Sequence, residues 1–511
     1  VTALANLELD PTLQRFRAKN APTKLAAEER TGRILVTTPS NQAADECLRK
    51  LVQGTTIPEQ YITRVYARTI EYKYGSKLRG DPLDSNVSRT EHKVADDLQR
   101  HSLHFKVIHN KDVQGLESRS AVRQFEYDQA YEAAEQAILA KTKIVITTCS
   151  SALSHGALKE APKRPEKQKK GPGLAFRSVI VDECAQATEP EVVLPLLRAQ
   201  DRAILIGDHK QLGPVVTEHN LCKAYLVMLE RPILERLANR KPASKEGPGR
   251  SLVSTMLKKQ YRMHDTICSF PSRRFYDNRL QNAQGLPLKP PVPSVWPSNT
   301  DRVVWFDCSH PHSMGSMITV GSSRSLNMTA LENNTSLKNE GEADIIIKVY
   351  KKLMESGHCR AEDVAIITPY KAQEQHIQRK LKELPGKLGK SAGMTAVGTV
   401  FSMQGSERHY ILLSFVRSTA EGWALNHLSM QGSANELRVA VSQQSPGLRQ
   451  TFESHIGIAE KATLLNVALT RAKSGLVIVA NRTILSEGSE DFYQLAADLD
   501  ERGCFVPEGC F

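Results

Sequence analysis

An acidic pair, Asp182-Glu183, directly follows the apolar run 178–181 (SVIV) and precedes the residues CAQ. An aspartate at the end of a buried strand can hold Mg²⁺ beside nucleotide phosphates, and the adjacent glutamate can orient and deprotonate an attacking water. Phosphoryl transfer depends mainly on positioned charge, so these two residue types suit ATP chemistry. A strand-end acidic pair can also simply cap the next helix, so its assignment depends on the other motifs.

Four further motifs carry residues of the types that nucleotide chemistry uses. Gln211 lies in GDHKQLGP (207–214) and can reach a γ-phosphate. In QYRMH (260–264), Tyr261 suits stacking on a base and Arg262 suits pairing with a phosphate. QGSE (404–407) supplies Glu407, which is expected to bind a ribose or Arg471. Arg471 in LTRAK (469–473) is expected to act as an arginine finger, although an isolated arginine is usually a solvated surface charge.

Apolar, β-branched runs alternate with helical patterns along the chain, which predicts an α/β protein with parallel sheets covered on both faces. Ligands of such sheets bind at the carboxyl ends of the strands, where most of the polar motifs lie. The predicted strands are 33–38, 143–148, 178–181, 203–206, 364–368, 410–414 and 476–480.

A chain of 511 residues is too long for one ordinary core, so two sheet domains are predicted. The first spans 1–245 and the second 246–500, with a tail at 501–511 and an interdomain crossing at 238–253. Three segments interrupt the pattern: a helical insertion at about 64–140, a basic loop at 161–173 and an insert at about 419–458.

The net charge of +12 favours a polyanionic partner, although charge alone fits a generally basic surface equally well. No apolar run is long enough for a membrane span, so no membrane partner is expected. The nine cysteines are scattered without a C-x-x-C pair, which disfavours a zinc site or a disulfide framework. A disulfide between Cys504 and Cys510 is kept as a minor alternative.

Eight motifs in order resemble those of superfamily 1 RNA/DNA helicases, in the branch of the regulators of nonsense transcripts. They are TTPSNQAAD, TTCSSA, VIVDECAQATEPE, LIGDHKQLGPVV, QYRMH, IITPY, TVFSMQGSE and LNVALTRAK, between Arg33 and Thr483. The resemblance implies two RecA-like domains of the P-loop NTPase type, with ATP and Mg²⁺ as cofactors and single-stranded RNA or DNA as partner. It also implies 5′–3′ movement, protein regulators and a cytoplasmic location, with the nucleus as the alternative.

The resemblance assigns roles residue by residue. Asp182 would hold Mg²⁺ and Glu183 would activate water, while Gln211 would sense the γ-phosphate. The remaining nucleotide contacts would be Tyr261, Arg262, Gly405, Glu407 and Arg471. Contacts to the single strand, blind to its sequence, would come from Thr38, Pro39, Ser40, Thr147, Thr148, Thr368, Pro369 and Tyr370.

The phosphate-binding loop G-x-x-x-x-G-K-[ST] of this family is missing before the strand at 33–38. Val1–Leu9 resembles the helix that normally follows the loop, so the chain is expected to begin just past it. The nearest match, GKLGKS (386–391), has Leu384 in place of the first glycine and is predicted to be a basic loop. Two explanations stay open: a fragment of a full motor, or a pseudo-helicase that binds strands without turnover. The insert at 419–458 is longer than in relatives and is either a surface loop or a translated intron.

Overall fold

The apolar runs form two parallel sheets in the computed structural model. It describes residues 32–67, 70, 94–114, 121–158, 176–216, 223–238, 254–297, 300–314, 336–418 and 461–510. The chain divides into two units, residues 1–209 with 213–249 and residues 210–212 with 250–511. The basic loop at 161–173, the insert at 419–458 and all but the first residue of the crossing at 238–253 lie outside the described residues.

The sheet of the first unit has five parallel strands in the order β2-β3-β1-β4-β5. The strands are β1 (Ile34–Thr38), β2 (Ile62–Arg64), β3 (Ile144–Thr148), β4 (Phe176–Val181) and β5 (Ala199–Leu205). Side chains alternate between two apolar clusters: Leu35 and Val179 pack on one face, and Val36 and Ile180 on the other. Burial on both faces explains the unbroken apolar runs of the sequence.

Helices cover this sheet. They are α1 (Asn41–Gly54), α2 (Leu103–Ile108), α3 (Ala121–Lys141), α4 (Ser151–Ser154), α5 (Glu189–Leu196), α6 (Lys223–Glu230) and α7 (Ile233–Ala238). Within the predicted insertion at 64–140, α2 and α3 are helical, while 71–93 and 115–120 lie outside the described residues. The insertion starts at the end of β2, a strand that the sequence did not predict.

The second unit has a six-stranded parallel sheet in the order β12-β11-β13-β14-β8-β15. A parallel pair, β6 with β7, and an antiparallel pair, β9 with β10, accompany it. The strands are β6 (Lys259–Gln260), β7 (Gln281–Asn282), β8 (Val303–Asp307), β9 (Ser313–Met314), β10 (Leu337–Lys338), β11 (Val364–Thr368), β12 (Ala396–Thr399), β13 (Arg408–Ser414), β14 (Ala472–Ala480) and β15 (Phe505–Val506).

Helices also flank the second sheet, which confirms the predicted α/β class. They are α8 (Asp265–Phe275), α9 (Glu340–Glu355), α10 (Lys371–Lys382), α11 (Gly386–Ala392), α12 (Ala462–Leu469), α13 (Arg482–Gly488) and α14 (Glu490–Glu501). The prediction of a basic loop at 386–391 is wrong, because these residues belong to α11, which comes shortly after α10. None of the helices in the described ranges is both long and apolar enough to cross a membrane.

Candidate nucleotide and nucleic-acid sites

The acidic pair forms a tight turn at the carboxyl end of β4. The Asp182 amide donates to the Thr37 carbonyl at 2.8 Å, and the Cys184 amide donates to the Ile206 carbonyl at 2.9 Å. The neighbouring strands therefore fix both ends of the turn. Between them, Glu183 has φ of 54°, a left-handed conformation that is uncommon for a residue other than glycine, asparagine or aspartate.

The two carboxylates of this turn have different surroundings. Burial raises the pKa of Asp182, while the Glu183 amide, which donates to its Oδ1 at 3.0 Å, favours the charged form. Glu183 Oε2 accepts a hydrogen bond from Gln186 Nε2 at 2.7 Å. A partly desolvated carboxylate gains most from a nearby cation, so Asp182 is suited in type and setting to a hard divalent ion.

Gly207 closes the back of the same turn. A Cβ at this position would lie 3.0 Å from the amide nitrogen of Ala185 and 3.2 Å from that of Cys184. Only glycine allows the two backbone segments to come this close. The sequence predicted a role for Gln211 in the GDHKQLGP motif but none for Gly207, although a glycine directly after an apolar run signals such an approach.

The strand-binding residues predicted in the first unit differ in exposure. Pro39 is half-buried and Ser40 is exposed. Ser40 caps α1, because its hydroxyl accepts a hydrogen bond from the Ala43 amide at 3.2 Å. Thr147 is fully buried, and its hydroxyl donates to the Val65 carbonyl at 2.8 Å.

Thr38 and Thr148 are buried as well, and their hydroxyls bond to Ser40 and Ser151. All three threonine hydroxyls thus donate internal hydrogen bonds, and their contacts to phosphate stay a prediction. Among these residues, Pro39 and Ser40 remain as the accessible edge.

In the second unit, Glu407 is held between two cations. Its Oε2 accepts from Arg262 Nε, and its Oε1 lies 2.8 Å from Lys473 Nζ. Burial opposes ionisation, but the charge of Arg262 and the hydrogen bonds from Lys473 and Arg262 bring the pKa of Glu407 down to about 2. Arg262 also donates to the Thr470 carbonyl at 3.0 Å. The ion pairs that the structure shows for Glu407 are thus with Arg262 and Lys473, and its predicted contact to a ribose or to Arg471 stays a prediction.

This Arg262–Glu407–Lys473 cluster lies beside two other predicted contact residues. Gly405 has φ of 80°, a conformation that favours glycine. Tyr261 is 69% exposed, and the ammonium of Lys259 lies 5.6 Å from the Tyr261 ring centroid. An exposed aromatic ring beside fixed cations can stack on a base. Lys473 was not predicted, although it lies two residues after Arg471 on β14.

Arg471 is the most enclosed of the predicted cations, with 2% of its surface exposed. It donates to the carbonyls of Val467 at 3.1 Å and Ser406 at 3.4 Å, and to Gln211 Oε1 at 3.4 Å. Residues 210–212 belong to the second unit, so Gln211 and Arg471 lie together within it. The sequence predicts Arg471 as an arginine finger. Of the two predicted arginines, Arg262 is the more accessible, because 30% of its side chain is exposed.

The second predicted strand-binding edge follows β11. Thr368, Pro369 and Tyr370 are all buried. The Thr368 hydroxyl accepts from the Tyr370 amide at 3.3 Å, and the Tyr370 hydroxyl accepts from Arg417 Nε at 3.0 Å. Arg417 was not predicted, and it follows β13, the strand next to β11.

Known proteins resemble this chain over most of its length. Two families, each described as AAA domain, match residues 7–219 and 229–483. The regulator of nonsense transcripts 1 homolog of Neurospora crassa is 27% identical over 94% of this chain and 36% of its own length. The ATP-dependent helicase NAM7 of Saccharomyces cerevisiae is 29% identical over 93% and 39%, respectively. The 3′-5′ exoribonuclease HELZ2 of Homo sapiens is 27% identical over 88% and 14%.

The chain therefore spans well under half the length of these curated relatives. Among solved structures, an arterivirus nonstructural protein 10 helicase with DNA is 10% identical over 88% of this chain and 55% of its own, with a TM-score of 0.29. A superposition this loose carries no further argument. The two AAA matches lie in order along the chain, and the similarity to the regulators of nonsense transcripts covers about nine-tenths of it. The chain belongs to the superfamily 1 helicases, in the branch of the regulators of nonsense transcripts.

Proposed function

We propose that this chain is the motor core of an ATP-dependent RNA helicase that moves 5′ to 3′ on single strands in RNA surveillance or decay. One observation carries the proposal: Asp182 and Glu183 form a strained, partly desolvated acidic turn at the carboxyl end of a buried parallel strand. Backbone strain is retained where the surroundings fix it, and it concentrates at sites of chemistry. The names of the relatives support RNA as the substrate, with DNA as the alternative.

The residues present fit Mg²⁺ and ATP in chemical type. Asp182 would hold the metal, and bound Mg²⁺ would neutralise charge on the phosphates. Glu183 is placed to orient a water and accept its proton, with Gln186 fixing one carboxylate oxygen. The described residues contain no cluster of three or more potential ligands, and Mg²⁺ needs only one or two carboxylates when phosphates complete its shell.

In the second unit, nucleotide contacts are proposed for Tyr261, Arg262 and Gly405, together with Glu407 and Arg471. Glu407 keeps Arg262 and Lys473 in fixed positions, so these cations would meet a phosphate without first being ordered. Gln211, within hydrogen-bonding distance of Arg471, would transmit the loss of the γ-phosphate to that arginine. Contacts to a single strand are proposed for Pro39 and Ser40 in the first unit and, separately, for the edge that follows β11 in the second unit. A cytoplasmic location and protein regulators complete the proposal.

The first experiment measures binding of a fluorescein-labelled oligouridylate to the 511-residue chain by anisotropy over a range of salt concentrations. Phosphate contacts predict a logarithmic loss of affinity with salt of roughly 0.7 per phosphate neutralised. Oligodeoxyuridylate serves as the matched DNA probe. Binding that does not depend on salt would refute the electrostatic part of the proposal.

The second experiment measures ATP turnover. The 511-residue chain is compared with the same chain preceded by a strand and a G-x-x-x-x-G-K-T loop. We expect little turnover in the first and RNA-stimulated turnover in the second. Glu183→Gln in the longer chain should abolish turnover while leaving binding of a fluorescent ATP analogue intact. Undiminished hydrolysis by Glu183→Gln would show that the role given to Glu183 is wrong.

A non-catalytic strand-binding protein is the second candidate. It is supported by residues 386–391, the nearest match to a phosphate loop within this sequence, which form α11 and follow another helix rather than a strand. Tight ATP-analogue binding without turnover, even with the loop and strand supplied, would support this candidate over the motor.

A further inference from the structure

A strained turn follows β13. Val416 has φ of 73°, and the amide of the next residue, Arg417, donates to the Phe415 carbonyl at 2.8 Å. This is a γ-turn with positive φ, a rare and strained form. For a β-branched residue a positive φ is a true outlier, with a cost of roughly 1–3 kcal/mol.

Two side chains from the start of α9 hold this turn from both sides. Glu342 Oε2 accepts from the Val416 amide at 2.9 Å, and Asn339 Nδ2 donates to the Val416 carbonyl at 3.1 Å. The same Glu342 oxygen accepts from the Ser414 hydroxyl at 2.6 Å. Gln373 also belongs to this network. Its Oε1 accepts a hydrogen bond from the Asn339 backbone amide at 2.9 Å, and its Nε2 donates to the Ser414 hydroxyl at 3.0 Å. The backbone on both sides of Val416 is thereby fixed.

The network places an ionisable carboxyl group in the protein interior, which lowers the free energy of unfolding. Glu342 is fully buried, and its second oxygen, Oε1, has no hydrogen-bond partner in the described part of the chain. Burial raises the pKa of Glu342 to about 8. A buried carboxyl group without a cation opposes stability, so its presence is better explained by the geometry that it imposes on Val416.

Arg417 is the last residue of this turn. Its Nε donates to the Tyr370 hydroxyl at 3.0 Å, and its guanidinium carbon lies 5.9 Å from the Tyr370 ring centroid. Arg417 is 9% exposed, and the described residues offer it no ion pair. A nearly buried guanidinium that lacks a carboxylate partner is suited to an anion, and the carboxyl ends of β11 and β13 are where such sheets bind ligands.

We propose that Arg417 binds a backbone phosphate of the single strand, and that Glu342 and Asn339 are positioning residues which hold the Val416 turn for that contact. This rests on the proposed nucleic-acid binding and adds a residue and its support to it. Tyr370 fixes one nitrogen of Arg417 and leaves the terminal nitrogens for the phosphate. The contact would be blind to base sequence.

The test uses the 511-residue chain and fluorescein-labelled oligouridylate, with anisotropy measured at several salt concentrations. Arg417→Gln should weaken binding about three- to tenfold and reduce the salt slope by about 0.7. Arg360→Gln is the matched control, because Arg360 is an exposed arginine just before the amino end of β11. It should change affinity by less than about twofold.

Glu342→Ala leaves the Val416 amide and the Ser414 hydroxyl without their acceptor, and should weaken binding as much as Arg417→Gln does. The double variant should bind no more weakly than Arg417→Gln alone, because both changes remove one contact. Glu342→Gln keeps an acceptor oxygen and should restore binding to within about twofold of the unmodified chain.

A purely structural role for Glu342 would give independent losses in the double variant, which would overturn the positioning role. Normal affinity in Arg417→Gln would overturn the phosphate contact while leaving the proposed function intact. Absence of any salt-dependent binding in the unmodified chain would instead refute the proposed function itself. If Glu342→Ala does not fold, Asn339→Ala takes its place, alone and combined with Arg417→Gln, in the same binding measurements.

Discussion

Glu407→Gln probes the charge cluster of the second unit, because it removes the one carboxylate between Arg262 and Lys473. The shift of the Glu407 pKa from 4.5 to about 2 corresponds to roughly 3 kcal/mol at about 1.4 kcal/mol per tenfold change. The side chain is 36% exposed, so solvent screening reduces the expected loss of unfolding free energy to about 1–2 kcal/mol.

Tryptophan fluorescence during urea unfolding measures this loss, since all three tryptophans, at 296, 305 and 423, belong to the second unit by position. A depressed carboxyl pKa stabilises the folded state above the unfolded value and ceases to do so as pH falls toward the folded value. The difference between the unmodified chain and Glu407→Gln should therefore be full at pH 7 and shrink below about pH 4.5.

A double-mutant cycle with Arg262→Gln should show coupling, because the two residues share one ion pair. Glu362→Gln is the matched control: its partner Arg360 is 72% exposed, so a change below about 0.5 kcal/mol is expected. Equal stability of Glu407→Gln and the unmodified chain at pH 7, or additive effects in the cycle, would refute the view that the cluster is held together by charge.

Two further predictions concern the acidic turn and the buried carboxyl group. Gly207→Ala should destabilise the first unit by about 1–3 kcal/mol, measured by hydrogen exchange, because its Cβ would lie 3.0 Å from a backbone nitrogen. Gly54→Ala, at the end of α1 and with no heavy atom within 4 Å, should not destabilise the unit. For Glu342, a pKa raised from 4.5 to about 8 means that the free energy of unfolding falls as pH rises between these two values, by up to about 1.4 kcal/mol per pH unit. Glu342→Gln should lack this dependence in thermal unfolding, and an equal pH dependence in both proteins would contradict the burial of an ionisable group.

All seven strands predicted from the sequence are present, within a few residues at their ends. Burial on both faces makes such strands visible as apolar runs. β2 was missed because it has only three residues, Ile-Thr-Arg. β8 contains Val-Val-Trp-Phe and is equally apolar, but no polar motif follows it that would have drawn attention to it.

The sites were less predictable than the sheets. The acidic turn could be located because Asp182 and Glu183 are adjacent and follow a strand. The cluster around Glu407 could not, since Arg262 lies 145 positions away in the chain and only the folded sheet brings it near. The burial of Arg471 was equally hidden, because two of its hydrogen bonds go to backbone carbonyls, which every residue has.

Left-handed backbone conformations mark the same places as the chemistry. Of the four described non-glycine residues with positive φ, Asp277 and Asn278 are of types that tolerate it. The other two, Glu183 and Val416, follow the carboxyl ends of β4 and β13. Strain is thus concentrated at the edges of the two parallel sheets where ligands bind.

This distribution leads to a prediction at Val416. In an ordinary buried strand, glycine is less stable than alanine by about 0.5–1 kcal/mol, because it loses more backbone entropy on folding. Val416→Ala removes both buried Cγ methyl groups and Val416→Gly removes the Cβ as well, but only glycine escapes the left-handed penalty of about 1–2 kcal/mol. Val416→Gly should therefore be more stable than Val416→Ala, by roughly 0.5–1 kcal/mol in urea unfolding followed by tryptophan fluorescence. Val479 in β14 is the control position, where the order should be the usual one. If alanine is the more stable residue at both positions, Val416 does not adopt the left-handed turn in solution, and the support that Glu342 and Asn339 are proposed to give Arg417 has no strained backbone to act on.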